Sequence, residues 1–354
     1  MEITDLYPWL ERPAAALRKM RDKLPGGVLI YGPRGSGAYE LAASFAASVV
    51  CSSPKDGVAC GSCADCRLVQ AGTHPDLKYV LSETEAALRP EPWNGKIQPL
   101  PKGKSFSKQI LIEQVREIGE YLSVTAFRSD HRAVLIYPAD SMSEDQSSAL
   151  LKTLEEPPEG AVLILVADDV SSILPTIRSR CQLVRVAPPT REQGIAYLKS
   201  QKVRNPESEL ARLGGLPLLI HESGANLLLE KKDEKMILDL LAKGALMTSG
   251  DVLEAVKNDL TIGPLVAVMQ RWCWDISAQS MGLESRYFPD YAAAVQSLSA
   301  QIDIRRFQEF NAKLNQASRS KDHPLSKKLV AQTLLMDYAS ALKASQKTRL
   351  FLDF

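Results

Sequence analysis

Short, β-branched apolar runs alternate with helical stretches through the first half of the chain, and this alternation constrains the fold more than any other feature. GVLIY (27–31), AVLIY (133–137), AVLILVA (161–167) and QLVRV (182–186) have the length and branching of buried strands. Between them the residue pattern predicts helices over 40–50, 110–122 and 143–155. The last opens with a capping box, in which Ser143 accepts from the amide three residues on and Gln146 reaches back. Pro157 and Pro158 then end it. Buried strands separated by helices imply a parallel α/β sheet. Beyond Pro188 and Pro189 the strand signals fade, and helical periodicity continues with breaks at Gly214-Gly215, Gly244 and Gly263-Pro264. The expected architecture is α/β then all-α: a sheet domain over 1–187, a small helical domain over 188–240 and a larger one over 241–354. The stretch 83–107, rich in Pro, Lys and Gly, reads as a long surface loop or hairpin.

Composition excludes some classes of function. No run of about 18 apolar residues exists, so no membrane span is expected. The opening MEITDLYPWLERP carries acids and no apolar h-region, unlike a secretory signal, and a cytoplasmic address is expected. Basic and acidic side chains number 43 and 42, a balance that does not point to a bulk electrostatic grip on nucleic acid.

The sequence GPRGSGAY, Gly32 to Tyr39, follows directly on the run GVLIY and opens a helix. A working P-loop reads GxxxxGK[ST], with backbone amides around the phosphates, Lys on the β/γ oxygens and Ser or Thr on magnesium. Gly32 and Gly37 keep that register, but Ala38 and Tyr39 stand at the Lys and Ser/Thr positions. Taken alone, the segment is either a degenerate P-loop or an ordinary glycine turn between strand and helix.

Cys51, Cys60, Cys63 and Cys66 form C-x8-C-x2-C-x2-C, four thiols within 16 residues. In a reducing compartment such clustering points to metal rather than disulfides, and zinc takes four thiolates tetrahedrally. One structural zinc per chain is expected, with redox chemistry of the CxxC pairs as the lesser reading. His74, in AGTHPD, is a possible ligand, but four thiols already close the shell; Cys181 and Cys273 read as core residues.

The segment AVLIYPADSMSEDQSSALLKTLEEPP resembles the second-strand region of bacterial clamp-loader subunits of the AAA+ class. The tripeptide Ser179-Arg180-Cys181 is similar to the SRC motif of that family. YPWL near the start, the four-cysteine module, QAGTHPD (70–76) and LSKKLVAQTLLMDYASAL near the end fit in order, so the chain resembles the delta-prime subunits of the bacterial DNA polymerase III clamp loader along most of its length. The resemblance implies an AAA+ P-loop-type sheet domain carrying the zinc module, a small helical lid domain and a helical collar that oligomerises.

It also implies a specific pattern of loss. Active members end the second strand in Asp-Glu, and those positions here are Tyr137 and Pro138. Active members carry a nucleotide-sensing Arg in a Gly-led motif, and Pro217 of Gly214-Gly215-Leu216-Pro217 stands in its place. Arg180, supported by Ser179 and Cys181, is kept, and in the family this Arg touches the γ-phosphate of a neighbour's ATP.

The expectation is therefore a stator without intrinsic activity. It would sit in a pentameric ring with clamp-loader ATPase subunits and a delta subunit, and would reach the sliding clamp and primed DNA through that complex. Polymerase activity would belong to the holoenzyme. The rival readings are an active clamp-loader ATPase, against which Ala38, Tyr137 and Pro217 speak, and a zinc-dependent nucleic-acid binding module. The latter would want basic and aromatic residues around the cysteines, where only Lys55 and Arg67 lie.

Overall fold

The computed structural model describes residues 6–89, 106–222, 228–257, 260–319 and 327–343. Two compact units emerge, one running through Tyr197 and taking in Gly215–His221, the other made of Leu198–Gly214 and the chain from Glu222 onward.

The first unit is built on five parallel strands: β1 (Gly27–Tyr31), β2 (Leu77–Leu81), β3 (Arg132–Tyr137), β4 (Ala161–Ala167) and β5 (Gln182–Arg185), in the order β2-β3-β4-β1-β5. Four of them are the strands expected from the sequence; β2 is an addition. All seven residues of β4 are buried, as a strand covered on both faces requires. Alternation sends Val162, Ile164 and Val166 to one face and Leu163, Leu165 and Ala167 to the other. Helices α1 (Glu11–Met20), α2 (Ala38–Val50) and α3 (Ala64–Gln70) contribute Leu17, Phe45 and Val69 to the first core. After α4 (Glu83–Leu88), helices α5 (Ile112–Ser123), α6 (Glu144–Glu155) and α7 (Pro175–Arg178) supply Ile118, Leu150 and Ile177 to the second. The capping box at Ser143 and Gln146 is present, both bonds being made.

The stretch 83–107 departs from the loop expected of it. Its first part, Glu83–Leu88, is helical, because the Ser82 hydroxyl accepts from the Glu85 amide and so caps a new helix. Residues 90–105 of that stretch lie outside the described residues.

Because the strands are parallel, β1, β3 and β4 all end at the same edge of the sheet. β1 leads away toward β2 and β4 toward β5, in opposite directions, which in open α/β sheets leaves a crevice at the carboxyl ends. The glycine loop and Asp168 follow the ends of β1 and β4, and Tyr137 is the last residue of β3.

Helix α8 (Arg191–Ser200) leads into the second unit, which is helical: α9 (Pro206–Arg212), α10 (Lys231–Ala242), α11 (Ser249–Ala255), α12 (Ile262–Ser280), α13 (Ala292–Ser299), α14 (Ile304–Arg319) and α15 (Lys327–Ala341). None of the described helices is long and apolar enough to cross a membrane. Leu325 and Ser326 of the segment LSKKLVAQTLLMDYASAL lie outside the described residues, and the remainder forms the whole of α15 with Leu342 after it. At the centre of this unit the indole N–H of Trp272 donates to the Tyr338 hydroxyl at 2.7 Å, which donates in turn to the carbonyl of Leu241 at 2.9 Å. All three residues are buried. Removing that hydroxyl strands a buried donor and a buried acceptor together. Tyr338→Phe is expected to destabilise the helical unit by about 1–3 kcal/mol, read as an earlier urea midpoint with the near-ultraviolet signal of Trp272 as probe.

Candidate functional site

The glycine loop joins β1 to α2. Gly35 and Gly37 hold φ of 80° and 99°, a left-handed backbone that glycine enters at little cost. In a phosphate-binding loop the amides of such a turn, at a helix N-terminus, face an anion. Here apolar side chains crowd the loop instead. A Cβ on Gly37 would lie 3.0 Å from Leu10, and one on Gly35 would lie 2.6 Å from Leu219 and 3.3 Å from Leu216. The Trp9 indole N–H donates to the Ser36 carbonyl at 2.8 Å, pinning the YPWL segment to the loop. Pro217 is buried and opens a short 3-10 turn that carries Leu219 to Gly35.

Ala38 and Tyr39 are both buried. The Tyr39 ring lies 5.3 Å from that of Tyr137, and the Arg89 guanidinium sits over both, at 4.6 and 5.0 Å from their centroids. The Tyr137 hydroxyl donates to Asp168 at 3.0 Å. Arg34 pairs with Glu85 at 2.7 Å and approaches Asp168 at 3.7 Å, while Arg89 also pairs with Glu85. Burial pushes the Asp168 carboxyl up to about 7, although Arg34 pulls against it, and burial raises both tyrosine phenols. The ends of β1, β3 and β4 thus converge on a cluster of two phenols, two guanidiniums and two carboxyl groups. Sequence reasoning missed Arg34, Glu85, Arg89 and Asp168. For Glu85 the signal was available, since Ser82 and Glu85 have capping-box spacing.

A second site lies where α2 ends and α3 begins. Cys51 caps the end of α2, Cys63 caps the start of α3 and Cys66 lies within it. The four sulfurs of Cys51, Cys60, Cys63 and Cys66 all lie within 4.8 Å of one another, a group able to hold a metal ion. Amides of Cys60, Cys63 and Cys66 donate to the sulfurs of Cys51, Cys60 and Cys63 at 3.3–3.4 Å, the arrangement that favours thiolates. Burial pushes the Cys63 thiol up, but hydrogen bonds from the Ser52 hydroxyl and the Cys66 amide outweigh it and bring it down to about 6.

His74 stands apart from the sulfurs. Its Nδ1 accepts from the Asp76 amide at 3.1 Å, so the neutral ring carries its proton on Nε2, 3.5 Å from Asp65. Asp65 also accepts from Arg128 at 2.8 Å.

The third group is Ser179-Arg180-Cys181, between α7 and β5. Cys181 is buried in the core, as read from the sequence, and Arg180 is exposed. The Arg180 Nη2 lies 2.6 Å from Glu155, and its Nη1 donates to the Thr176 carbonyl at 2.9 Å. The Ser179 hydroxyl donates to that same carbonyl and lies 3.4 Å from Nη1. Beneath this turn the start of β1 is bare. A Cβ on Gly27 would lie 2.7 Å from Leu154, 3.0 Å from the Cys181 sulfur and 3.4 Å from the Arg180 carbonyl, and one on Gly26 would lie 2.3 Å from Pro157. The LLKTLEEPP segment and the SRC turn therefore share one seat.

Parallel strands in this order, with a glycine loop after β1 and ligand-side residues at the ends of β3 and β4, define a P-loop-type α/β domain. A family described as "DNA polymerase III, delta subunit" matches residues 15–190. DNA polymerase III subunit delta' of Pseudomonas aeruginosa is 34% identical over 220 residues, covering 61% of this chain and 60% of the relative. The subunits of the same name from Haemophilus influenzae and Escherichia coli are 34% and 31% identical, covering 62% and 58% of this chain and 62% and 56% of their own lengths. The chain is thus similar to DNA polymerase III delta' subunits over about 60% of its length. It spans about 60% of the length of the curated relatives it matches.

The seat at β1 gives a direct test. Gly27→Ala is expected to cost about 1–3 kcal/mol through overpacking. A crystal structure of the variant should show Leu154 and the 179–181 turn displaced together.

Proposed function

We propose that this chain is a clamp-loader subunit that hydrolyses no ATP itself and lends Arg180 to the ATP site of a neighbouring subunit. The observation that carries the reading is an asymmetry. The chain's own nucleotide positions are Ala38, Tyr39, Tyr137 and Pro138, of which the two phenols lie beneath Arg89, itself paired with Glu85, while Arg180 stands exposed on a shaped turn. Alanine brings no charge to a triphosphate, and a phenol held up by burial neither binds magnesium nor activates water. A guanidinium, by contrast, presents a planar fork that suits phosphate oxygens. Where fingers of this kind have been measured they are worth about 10³–10⁵ in rate.

In this reading the chain takes its place in a pentameric ring with ATPase subunits and a delta subunit. It reaches the sliding clamp and primed DNA through the ring. Residues 188–240 serve as a lid and 241–354 as a collar. The four cysteines hold one structural zinc. Sulfurs about 2.3 Å from a tetrahedral zinc are separated by about 3.8 Å. The pairs Cys51–Cys63, Cys60–Cys66 and Cys51–Cys66 stand at 3.8, 3.9 and 3.5 Å, and two of the four residues are buried, as a closed structural site requires.

Reconstitution with ATPase subunits tests the central claim. The isolated chain should turn over no ATP. Arg180→Ala should assemble normally, since an exposed Arg contributes within about half a kcal/mol to stability, yet the site facing it should lose turnover. Arg180→Lys should rescue poorly, because one mobile ammonium replaces the fork. Wild-type clamp-loading rates with the Ala variant at equal assembly would refute the finger.

Zinc has its own test. Elemental analysis should find one zinc per chain. Chelation should release the 51–66 segment to proteolysis while the sheet keeps its far-ultraviolet signal, because the sheet has apolar cores on both faces that need no metal. Well under one zinc in protein never exposed to chelator would count against the assignment.

A further inference from the structure

Helix stability does not explain why a carboxylate stands at the end of α6. Glu155 is the last residue of that helix and Glu156 follows it. A helix C-terminus carries partial negative charge from its open carbonyls, so acids there are unfavourable and cations favourable. What Glu155 does have is Arg180. Its Oε1 lies 2.6 Å from Nη2, while Nη1 is engaged by the Thr176 carbonyl and lies near Ser179 Oγ. Both terminal nitrogens of the guanidinium are therefore committed within this chain. The two side chains are 34% and 48% exposed, so the pair is open to a competitor.

We propose that Glu155 parks the Arg180 guanidinium and yields it to the triphosphate of a neighbouring subunit; this rests on the reading of Arg180 given above. The magnitudes allow the exchange. An exposed ion pair of this kind biases its partner by about two- to fivefold at most. A guanidinium delivered to a transferring phosphoryl group is worth about 10³–10⁵ in rate. Phosphate therefore wins once the site is assembled, and the carboxylate only sets how readily the finger leaves. Glu155 acts through Arg180 and is a positioning residue.

The test uses complexes reconstituted with wild-type chain, Glu155→Gln, Arg180→Ala and the double variant, with the other ATP sites of the ring disabled. Turnover is followed against ATP concentration at low and high salt. Glu155→Gln should lower KM for ATP by about two- to fivefold at low salt with little change in kcat. The gain should shrink at high salt, where the wild-type ion pair is already screened. In the Arg180→Ala background, where turnover is lost and affinity is read instead from equilibrium binding of a non-hydrolysable ATP analogue, the same substitution should shift nothing. An unchanged or raised KM in Glu155→Gln overturns the proposal, as does a shift that persists without Arg180 or ignores salt. If Arg180→Ala alone leaves turnover at the wild-type value, the finger reading fails and the parking role with it. If Arg180→Ala abolishes turnover while Glu155→Gln does nothing, only the parking role fails.

Discussion

Because Gly26 and Gly27 present no side chain, the end of α6 and the turn before β5 can both come down onto the start of β1. Leu154, Pro157 and Cys181 fill the space that two Cβ atoms would take, and β5 then pairs with β1 in register from Val28 onward. The opposite end of the same strand opens into the glycine loop. The strand is five residues long, so its ends are four rises apart, about 13 Å of extended chain. Arg180 and the glycine loop therefore lie at opposite ends of β1. An arginine at the foot of the strand is badly placed to serve that loop, in keeping with the role proposed for it above.

The cysteine module is joined to the sheet by a second buried device. Asp76, fully buried just before β2, accepts from the amides of Phe127, Arg128 and Ser129 at 2.7–3.1 Å and pairs with Arg132. Burial alone would push its carboxyl up, but these donors hold it below the usual range. The loop clamped in this way delivers Arg128 to Asp65, on the helix that carries Cys66, and His74 closes the circuit from the other side. The THPD segment is thus a bracket between β2 and α3 rather than part of the sulfur cluster. A carboxylate held by three amides keeps its place without a bound ion, so the bracket orders the sheet side of the module independently of metal.

Sequence made the scaffold legible where one residue type carried the signal. The apolar runs of β1, β3 and β4 and the Ser143–Gln146 box each announce themselves locally, and the cysteine spacing does the same for the sulfur cluster. β2 did not, because it sits at the edge of the sheet, where Lys78 and Tyr79 are half-buried and dilute its apolar pattern. The helix at Glu83–Leu88 was hidden by the composition of the residues that follow it. The cluster at the ends of β1, β3 and β4 is a different kind of omission. Tyr39 and Tyr137 are nearly a hundred residues apart in the chain. Only the parallel register that ends β1 and β3 at one edge brings their rings to 5.3 Å, with Arg89 arriving from a third segment. The sequence alone showed which residues stand at the P-loop positions, but not what surrounds them.

What surrounds the loop matters more than the residues at its motif positions. A loop that had merely lost its lysine would keep its hollow and its amides, and would still attract anions at a helix N-terminus. In this chain Leu10, Leu216 and Leu219 press on the loop, and Trp9 is bonded to its Ser36 carbonyl. Two phenols beneath Arg89 occupy the positions beyond it. Returning a lysine at Ala38 would bury an ammonium, and burial of an unpaired charge is strongly opposed. Glu85 and Asp168, the carboxyl groups of the cluster, are already shared by Arg34, Arg89 and Tyr137. The crevice therefore works as a packed junction between the YPWL segment, the 215–221 segment and the sheet. A packed junction of this kind suits the role proposed for Arg180, in which one exposed arginine is held in place for something outside the chain.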